Sequence, residues 1–143
     1  MYIWMAEKKY FYAVWRRKST TAVVKLFPAG SGSFTIIHSG KEEDMNKFFG
    51  WAVYLYDNAV APLKILWETS VNQYDAVIVV KWGWVMGISD AIQLWISRAL
   101  IEESMEKRSQ LKPYWFLQRD QRIKERKKPG LKKARKRPKR SKR

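Results

Sequence analysis

The sequence predicts an α+β fold, a small sheet with helices packed on one face, followed by a strongly basic tail. The first forty residues are rich in β-branched and aromatic side chains, which is typical of strands. Apolar residues recur at helical spacing farther along the chain, and the last eighteen residues hold twelve Lys or Arg and no acid. Strands that precede interleaved helices favour a sheet covered on one side.

Four segments have the composition of strands, so the predicted sheet is four-stranded. They are residues 10–14, 20–27, 33–38 and 74–81. The fourth (YDAVIVVK) is almost continuously apolar, which is typical of a central strand covered on both faces. Residues 15–18 form a basic connection between the first two strands, and the PAGSG segment at 28–32 is predicted as a turn.

Two short helices are predicted ahead of the fourth strand. Residues 42–49 place acidic side chains in the first turn, where the helix dipole favours them. Residues 58–66 form the other helix, in which Pro62 is tolerable only near the start because proline removes an intrahelical donor.

Two more helices are predicted after the fourth strand. Residues 88–103 are amphipathic, with Ser89 or Asp90 as the N-cap. A further helical stretch covers residues 103–112 and is stopped by Pro113.

Charge is unevenly distributed along the 143 residues. Residues 1–118 carry 14 basic and 11 acidic side chains, whereas residues 119–143 carry 15 basic and two acidic ones. This contrast predicts a flexible N-terminus (1–9), a globular domain (10–118) and an extended basic tail (119–143). Such a run of like charge with Pro and Gly stays solvated unless a polyanion neutralises it.

A phosphate backbone is the commonest partner for such a tail, because each neutralised phosphate releases condensed counterions. A nuclear-import signal, an anionic-membrane patch and a solubility tail are the alternatives. No predicted helix carries the Arg, Asn and Gln face that major-groove reading requires, so RNA is favoured over DNA. Contact with phosphates, rather than base stacking, is the chemistry that the tail offers.

Groups for catalysis or metal binding are sparse. The chain has no cysteine, which excludes disulfides and thiolate metal sites, and its one histidine, His38, lies beside a predicted turn. The acids at 42–44 have no histidine or cysteine nearby, and Gly30-Ser31-Gly32 lacks the Lys-Ser/Thr of a phosphate-binding loop. We therefore expect no enzymatic activity, no metal and no cofactor.

The lengths of the apolar segments indicate where in the cell the protein is expected. No segment has the length needed to span a bilayer, so no membrane partner is expected. The sequence predicts a cytosolic protein, or an organellar one whose transit peptide is already absent.

Several motifs, taken in order, resemble the bacterial and organellar family of the small-subunit ribosomal protein numbered nine. They are residues 16–18 (RRK, leading into a strand), 59–63 (AVAPL), 81–100 (ending SRAL), 116–135 and 141–143 (SKR). The stretch at 116–135, with its ERKKPGLKKAR core, is the most specific of them. The resemblance covers the chain from about residue 10 to its last residue.

The resemblance implies a mixed sheet like that of the second domain of ribosomal protein five, placed in the head of the small subunit. It implies peptidyl-site tRNA contact by Lys142 and Arg143, and contact with neighbouring ribosomal proteins. It also implies a set of residues that bind ribosomal RNA. These are Arg16, Arg17, Lys18, Arg119, Arg122, Arg126, Lys127, Lys128, Lys132, Lys133, Arg135, Lys136, Arg137, Lys139 and Arg140.

The eight tryptophans conflict with this resemblance. Aligned on the motifs, six of them fall where the family carries glycine: Trp15, Trp67, Trp82, Trp84, Trp95 and Trp115. Glycine reaches backbone conformations that tryptophan adopts only under strain. One cause explains all six, since some bacteria read the codon UGA as glycine while a commoner alternative code reads it as tryptophan. The other interpretation is that the tryptophans are genuine and form an apolar or base-stacking surface.

Two functions from different classes remain. The first is a structural ribosomal protein that positions RNA electrostatically. The second is a free-standing nucleic-acid chaperone or chromatin-type binder with a generic basic tail. The fixed order of motifs at 116–135 favours the first, because a generic tail requires no fixed order.

Overall fold

The computed structural model describes residues 10–66 and 73–140. Its strands are β1 (Phe11–Arg17), β2 (Thr20–Pro28), β3 (Phe34–His38), β4 (Lys41–Asp44) and β5 (Tyr74–Lys81). Its helices are α1 (Met45–Phe49), α2 (Val53–Leu66), α3 (Val85–Glu103) and α4 (Lys107–Leu111), and a 3-10 turn spans Lys112–Tyr114. The strand order is β1-β2-β5-β3-β4, antiparallel except for the parallel pair β3 and β5, so the sheet is mixed as expected.

The described sheet has five strands rather than the predicted four. The acids at 42–44, predicted to start a helix, instead pair with β3 as an edge strand. The chain reverses at Ser39 and Gly40, both at positive φ (52° and 78°), as in the two-residue hairpin turns that match strand twist. Helix α1 is therefore reduced to Met45–Phe49. Charged side chains also suit an edge strand because they discourage pairing with another chain.

β1 runs three residues farther than predicted. Residues 15–17 are part of the strand and pair with β2, so Arg17 lies opposite Thr20. The reversal is confined to Lys18, which has φ 54°, and Ser19. Successive strand residues point to opposite faces. Arg16 and Arg17 therefore lie on different faces of the sheet.

One face of the sheet carries the core. In β5 the buried residues alternate with half-buried ones, and the buried set is Tyr74, Ala76, Ile78 and Val80. Helix α3 packs on this face with Ile88, Ile92, Ile96 and Leu100. β5 is central as predicted, lying between β2 and β3. It is covered on one face only, so the prediction that both faces are covered is wrong for the described residues.

The helices begin earlier than their apolar pattern predicts. α2 starts at Val53, so Pro62 lies inside the helix instead of near its start. α3 starts at Val85 with Trp84 as its N-cap, and neither Ser89 nor Asp90 is the cap. Both of these side chains serve tertiary contacts instead, which local cap rules do not anticipate.

The last predicted helix is interrupted. α3 ends at Glu103, its C-cap Ser104 has an extended backbone (φ −149°), and helix resumes only at Lys107–Leu111. Pro113 does not stop the chain's helical path, because it lies within the 3-10 turn at Lys112–Tyr114. Within residues 10–66 and 73–140, no helix has the length and apolar character needed to cross a bilayer.

Candidate nucleic-acid interface

The predicted RNA-binding cations within the described residues fall into two places, the β1–β2 hairpin and the tail. Arg16 and Lys18 are exposed on the hairpin. Every predicted cation of the tail from Arg119 to Arg140 is exposed as well. Arg17 alone is partly buried, with 13% of its side chain exposed. Lys142 and Arg143 lie outside the described residues.

The Arg17 guanidinium is directed at protein oxygens. Nη2 contacts Asp120 Oδ2 at 2.7 Å, and Nε contacts Asp90 Oδ2 at 3.4 Å. Nη1 donates to the backbone oxygens of Arg122 (2.7 Å) and Asp120 (3.3 Å). We call Arg17, Asp90, Asp120 and the Arg122 carbonyl the Arg17 cluster. Its contacts join the end of β1 to residues more than a hundred positions later in the chain.

Other contacts hold the first residues of the tail against the domain. Arg119 Nε donates to the backbone oxygen of Arg16 at 3.2 Å. Asp120 Oδ1 accepts from the Arg122 amide at 2.8 Å. This backbone hydrogen bond is the main cause that lowers the pKa of Asp120, with the guanidinium charges of Arg17 and Arg122 adding to it. The carboxylate is therefore ionised at neutral pH.

No helix or strand forms in the described residues after the 3-10 turn, up to residue 140. The tail nevertheless bends. Arg135 forms a bidentate pair with Glu125, and the Lys132 amide donates to the Lys136 carbonyl at 2.7 Å. The hydrogen bond from Arg135 lowers the pKa of Glu125. The extended form predicted for the tail is not confirmed over this segment.

Some contact residues were not assigned a role by sequence reasoning. Asp120 and Glu125 are the only acids in residues 119–143, and each has an arginine partner. Isolated acids within a basic run are thus a usable signal of internal ion pairs. Arg98 of α3 donates to the Leu117 carbonyl at 3.5 Å, and its burial lowers its pKa. Nothing in its sequence context indicates that partner.

The tryptophans at positions where glycine is expected lie in different environments. Trp82 and Trp115 have positive φ (60° and 63°) and exposed side chains. Trp84 is also exposed, whereas Trp95 is fully buried and its Nε1 has no hydrogen-bond partner among the described residues. The backbone of Trp15 lies in β1 opposite Ala22. Trp67 lies outside the described residues.

The features considered for catalysis have structural roles. Asp75 Oδ1 accepts from the amides of Ser31 (2.8 Å) and Ser33 (2.9 Å), which fixes the predicted turn at 28–32 against β5. His38 packs edge-on against Phe48. Among residues 10–66 and 73–140, no cluster of three His, Cys, Asp or Glu has the geometry to hold a metal ion.

A mixed sheet with one helix-covered face, joined to a tail of exposed cations, defines a small basic α+β protein suited to polyanion contact. Comparison with known proteins identifies the family. Residues 15–143 match the family described as Ribosomal protein S9/S16. The chain belongs to this family, which confirms the resemblance found in its motifs.

Curated relatives agree over nearly their whole length. The small ribosomal subunit protein uS9c of Emiliania huxleyi is 42% identical over 93% of this chain and 96% of the relative. The uS9 protein of Thermus thermophilus is 41% identical over 93% of this chain and 98% of its own. The uS9 protein of Acaryochloris marina is 45% identical over 90% of this chain and 88% of its own.

Proposed function

We propose that the protein is a structural constituent of the small ribosomal subunit and binds ribosomal RNA in the subunit head. The exposure of every described tail cation is the observation that supports this proposal, taken with family membership. Lys supplies point charges and Arg supplies bidentate forks to phosphates. The mechanism is electrostatic positioning of RNA, and it requires no bond to be made or broken.

The RNA contacts divide between the domain and the tail. Arg16 and Lys18 form an exposed pair of cations at the β1–β2 hairpin. The tail adds the exposed cations that were predicted from sequence. They are Arg119, Arg122, Arg126, Lys127, Lys128, Lys132, Lys133, Arg135, Lys136, Arg137, Lys139 and Arg140. Lys142 and Arg143 are proposed to reach the anticodon stem of peptidyl-site tRNA.

The partners follow from this placement. We expect ribosomal RNA, peptidyl-site tRNA and neighbouring proteins of the subunit head, within the ribosomes of the cytoplasm. An organellar ribosome is the less favoured location, although one of the similar proteins bears the name uS9c. No cofactor and no enzymatic activity are proposed.

Salt dependence of RNA binding tests the electrostatic part of the proposal. Each neutralised phosphate contributes about 0.7–0.9 to the slope of log affinity against log salt. The full chain should therefore show a steep slope with small-subunit RNA, and removal of residues 126–143 should reduce that slope by several units. A truncated chain with the full slope would show that the tail does not contact phosphate.

A second experiment tests the assignment of the last two tail cations to tRNA and of the others to ribosomal RNA. Deleting Lys142 and Arg143 should leave the assembly of small subunits intact and weaken the binding of peptidyl-site tRNA to them. Failure of assembly would contradict the assignment of these two residues to tRNA. Absence of the full chain from purified small subunits would instead favour a free-standing nucleic-acid chaperone.

A further inference from the structure

We infer that Arg17 is a positioning residue that sets the direction in which the basic tail leaves the domain. Of the basic residues predicted to contact RNA within the described ranges, Arg17 alone is partly buried. Its guanidinium contacts two carboxylates and two backbone oxygens, all within 3.4 Å. The inference rests on the proposed function, because it concerns how the RNA-binding tail is presented.

The position and contacts of Arg17 favour partners within the protein over a phosphate group of RNA. The residue is at the end of β1 on the helix-covered face, where Asp90 of α3 approaches its Nε. The contacts of Arg17 occupy four of the five N–H groups of its guanidinium, so a bidentate contact with a phosphate requires it to release some of them. Releasing them would leave Asp90 and Asp120 without their shared cation. Arg17 therefore has its counterions inside the protein.

The same contacts order the start of the tail. Arg17 contacts Asp120 and the Arg122 carbonyl, and Arg119 donates to the Arg16 carbonyl, so residues 119–122 are tied to β1 at several points. The Arg122 amide also donates to Asp120 within the segment. The residues that follow carry most of the positive charge. Fixing their origin restricts the volume that they search, and preorganisation of this kind lowers the entropic cost of binding.

Distance measurements on the free protein test the positioning role. The chain has no cysteine, so spin labels can be attached at Lys41→Cys in β4 and Lys128→Cys in the tail. We expect a narrow distance distribution that broadens in both Arg17→Gln and Asp120→Asn and is unchanged in the control Arg16→Gln. Asp120→Asn removes the ion pair between Arg17 and Asp120 by a change in the tail itself, so the test survives if Arg17→Gln folds poorly. An unbroadened distribution in Asp120→Asn would overturn the inference.

RNA binding supplies the second readout. Arg17→Gln should weaken binding several-fold with an unchanged salt slope, because the number of phosphates contacted is unchanged. Arg16→Gln should reduce the slope by about one. A slope reduced equally by Arg17→Gln would show that Arg17 contacts phosphate. If the unaltered chain bound no RNA, the proposed function would fail while the distance measurement still tested the positioning role.

A second inference concerns the tryptophans and rests on backbone conformation. We infer that the codons for residues 82 and 115 are read as glycine in the cells that make this protein. Trp115 caps the 3-10 turn in the left-handed conformation (φ 63°, ψ 11°), the position where glycine is the usual residue. Trp82 has φ 60° directly after β5. A bulky side chain at positive φ is a marked outlier.

The side chains point to the same conclusion. Trp82, Trp84 and Trp115 are exposed by 75–85%, although tryptophan normally covers apolar surface. Trp95 differs, because it is a fully buried member of the hydrophobic core, where glycine would leave a cavity. The unfavourable backbones at Trp82 and Trp115 share a single explanation if both residues are glycine.

Mass spectrometry of the protein from its source cells tests this directly. Trypsin cleaves after Lys81 and Arg98, so a single peptide carries residues 82, 84 and 95. A second peptide, residues 109–119, carries residue 115. We expect glycine at residue 82 in the first peptide and at residue 115 in the second. Tryptophan at residue 82 or 115 would overturn the inference.

Discussion

Gln93 of α3 donates a hydrogen bond from Nε2 to the backbone oxygen of Asn58 in α2, at 3.0 Å. That oxygen would ordinarily accept from the amide of residue 62, but residue 62 is proline and has no N–H. A side chain of one helix thus replaces a missing bond of the other. Gln93 Nε2 also donates to Asn58 Oδ1 at 2.8 Å, which fixes the register of the two helices.

Replacing Gln93 should therefore expose the defect at Pro62. Gln93→Leu leaves the Asn58 carbonyl without a donor and should cost about 1–3 kcal/mol of unfolding free energy. The cost should be smaller in a Pro62→Ala background, where residue 62 supplies its own N–H. Urea denaturation of the unaltered chain, the two single variants and the double variant measures this coupling. Equal costs of Gln93→Leu in both backgrounds would show that Gln93 does not replace the missing N–H of Pro62.

Gly83 is required by both space and backbone. A Cβ there would lie 1.8 Å from Thr20 Oγ1 and 3.0 Å from Thr20 Cα, and φ is 107°. Gly83→Ala should cost about 2–5 kcal/mol, from overpacking and strain together. Gly40 is the matched control, because it has φ 78° and open space around its Cβ position.

Gly40→Ala should cost only about 1 kcal/mol, the backbone strain alone. Thermal unfolding of the two variants separates the contributions. Similar losses in both would show that the contact with Thr20 is relieved by relaxation of the β1–β2 hairpin.

Tyr74 should make the protein sensitive to alkali. Burial raises the pKa of Tyr74, and so does its hydrogen bond to Glu103 (2.6 Å). Burial alone would lower the pKa of Lys107, but hydrogen bonds to Glu103 and Tyr74 raise it overall. A group whose pKa is raised by folding contributes stability below its unfolded value, here about 10, and loses it as pH rises through the folded value.

Tyr74→Phe should therefore flatten the decline of stability above about pH 10, the unfolded tyrosine value. Chemical denaturation at a series of pH values gives this slope, with Tyr12→Phe on an exposed position of β1 as the control. A Tyr74→Phe slope as steep as that of the control would show that Tyr74 is not responsible.

Trp82→Gly should stabilise the recombinant protein. Removal of a bulky side chain from φ 60° relieves about 1–2 kcal/mol of strain. Trp51 is equally exposed but is not among the described residues with positive φ, so Trp51→Gly should give no gain. Differential scanning calorimetry compares the two. A lower Tm for Trp82→Gly than for Trp51→Gly would show that the Trp82 side chain makes a stabilising contact.

Sequence patterns predicted four strands because each of these segments is rich in β-branched and aromatic residues. β5 was predicted at its full length, Tyr74–Lys81. β4 was missed because its residues, KEED, have no strand propensity and are held by pairing with β3. Pro62 was placed wrongly for a similar reason, since its compensation by Gln93 is a tertiary contact that local rules cannot include.

At the candidate interface, too, sequence reasoning predicted the features that depend on local composition and missed those that depend on tertiary contacts. The exposure of the tail cations follows from composition, since a run of like charge with few apolar residues cannot be buried. The contacts of Arg17 with Asp90 and Asp120 do not follow from composition, because Arg16, Arg17 and Lys18 are consecutive basic residues that the sequence does not distinguish. Only strand alternation and the return of residues 119–122 to β1 distinguish Arg17 from its neighbours.

RNA crosslinking of small subunits purified from the source cells, read out by mass spectrometry of the crosslinked peptides, tests whether the tail binds RNA. We predict that peptides from residues 126–140 are crosslinked to small-subunit ribosomal RNA, with the peptide that ends at Arg143 crosslinked to tRNA. Recovery of the protein in the subunits with its tail peptides free of RNA would show that the tail does not bind RNA there.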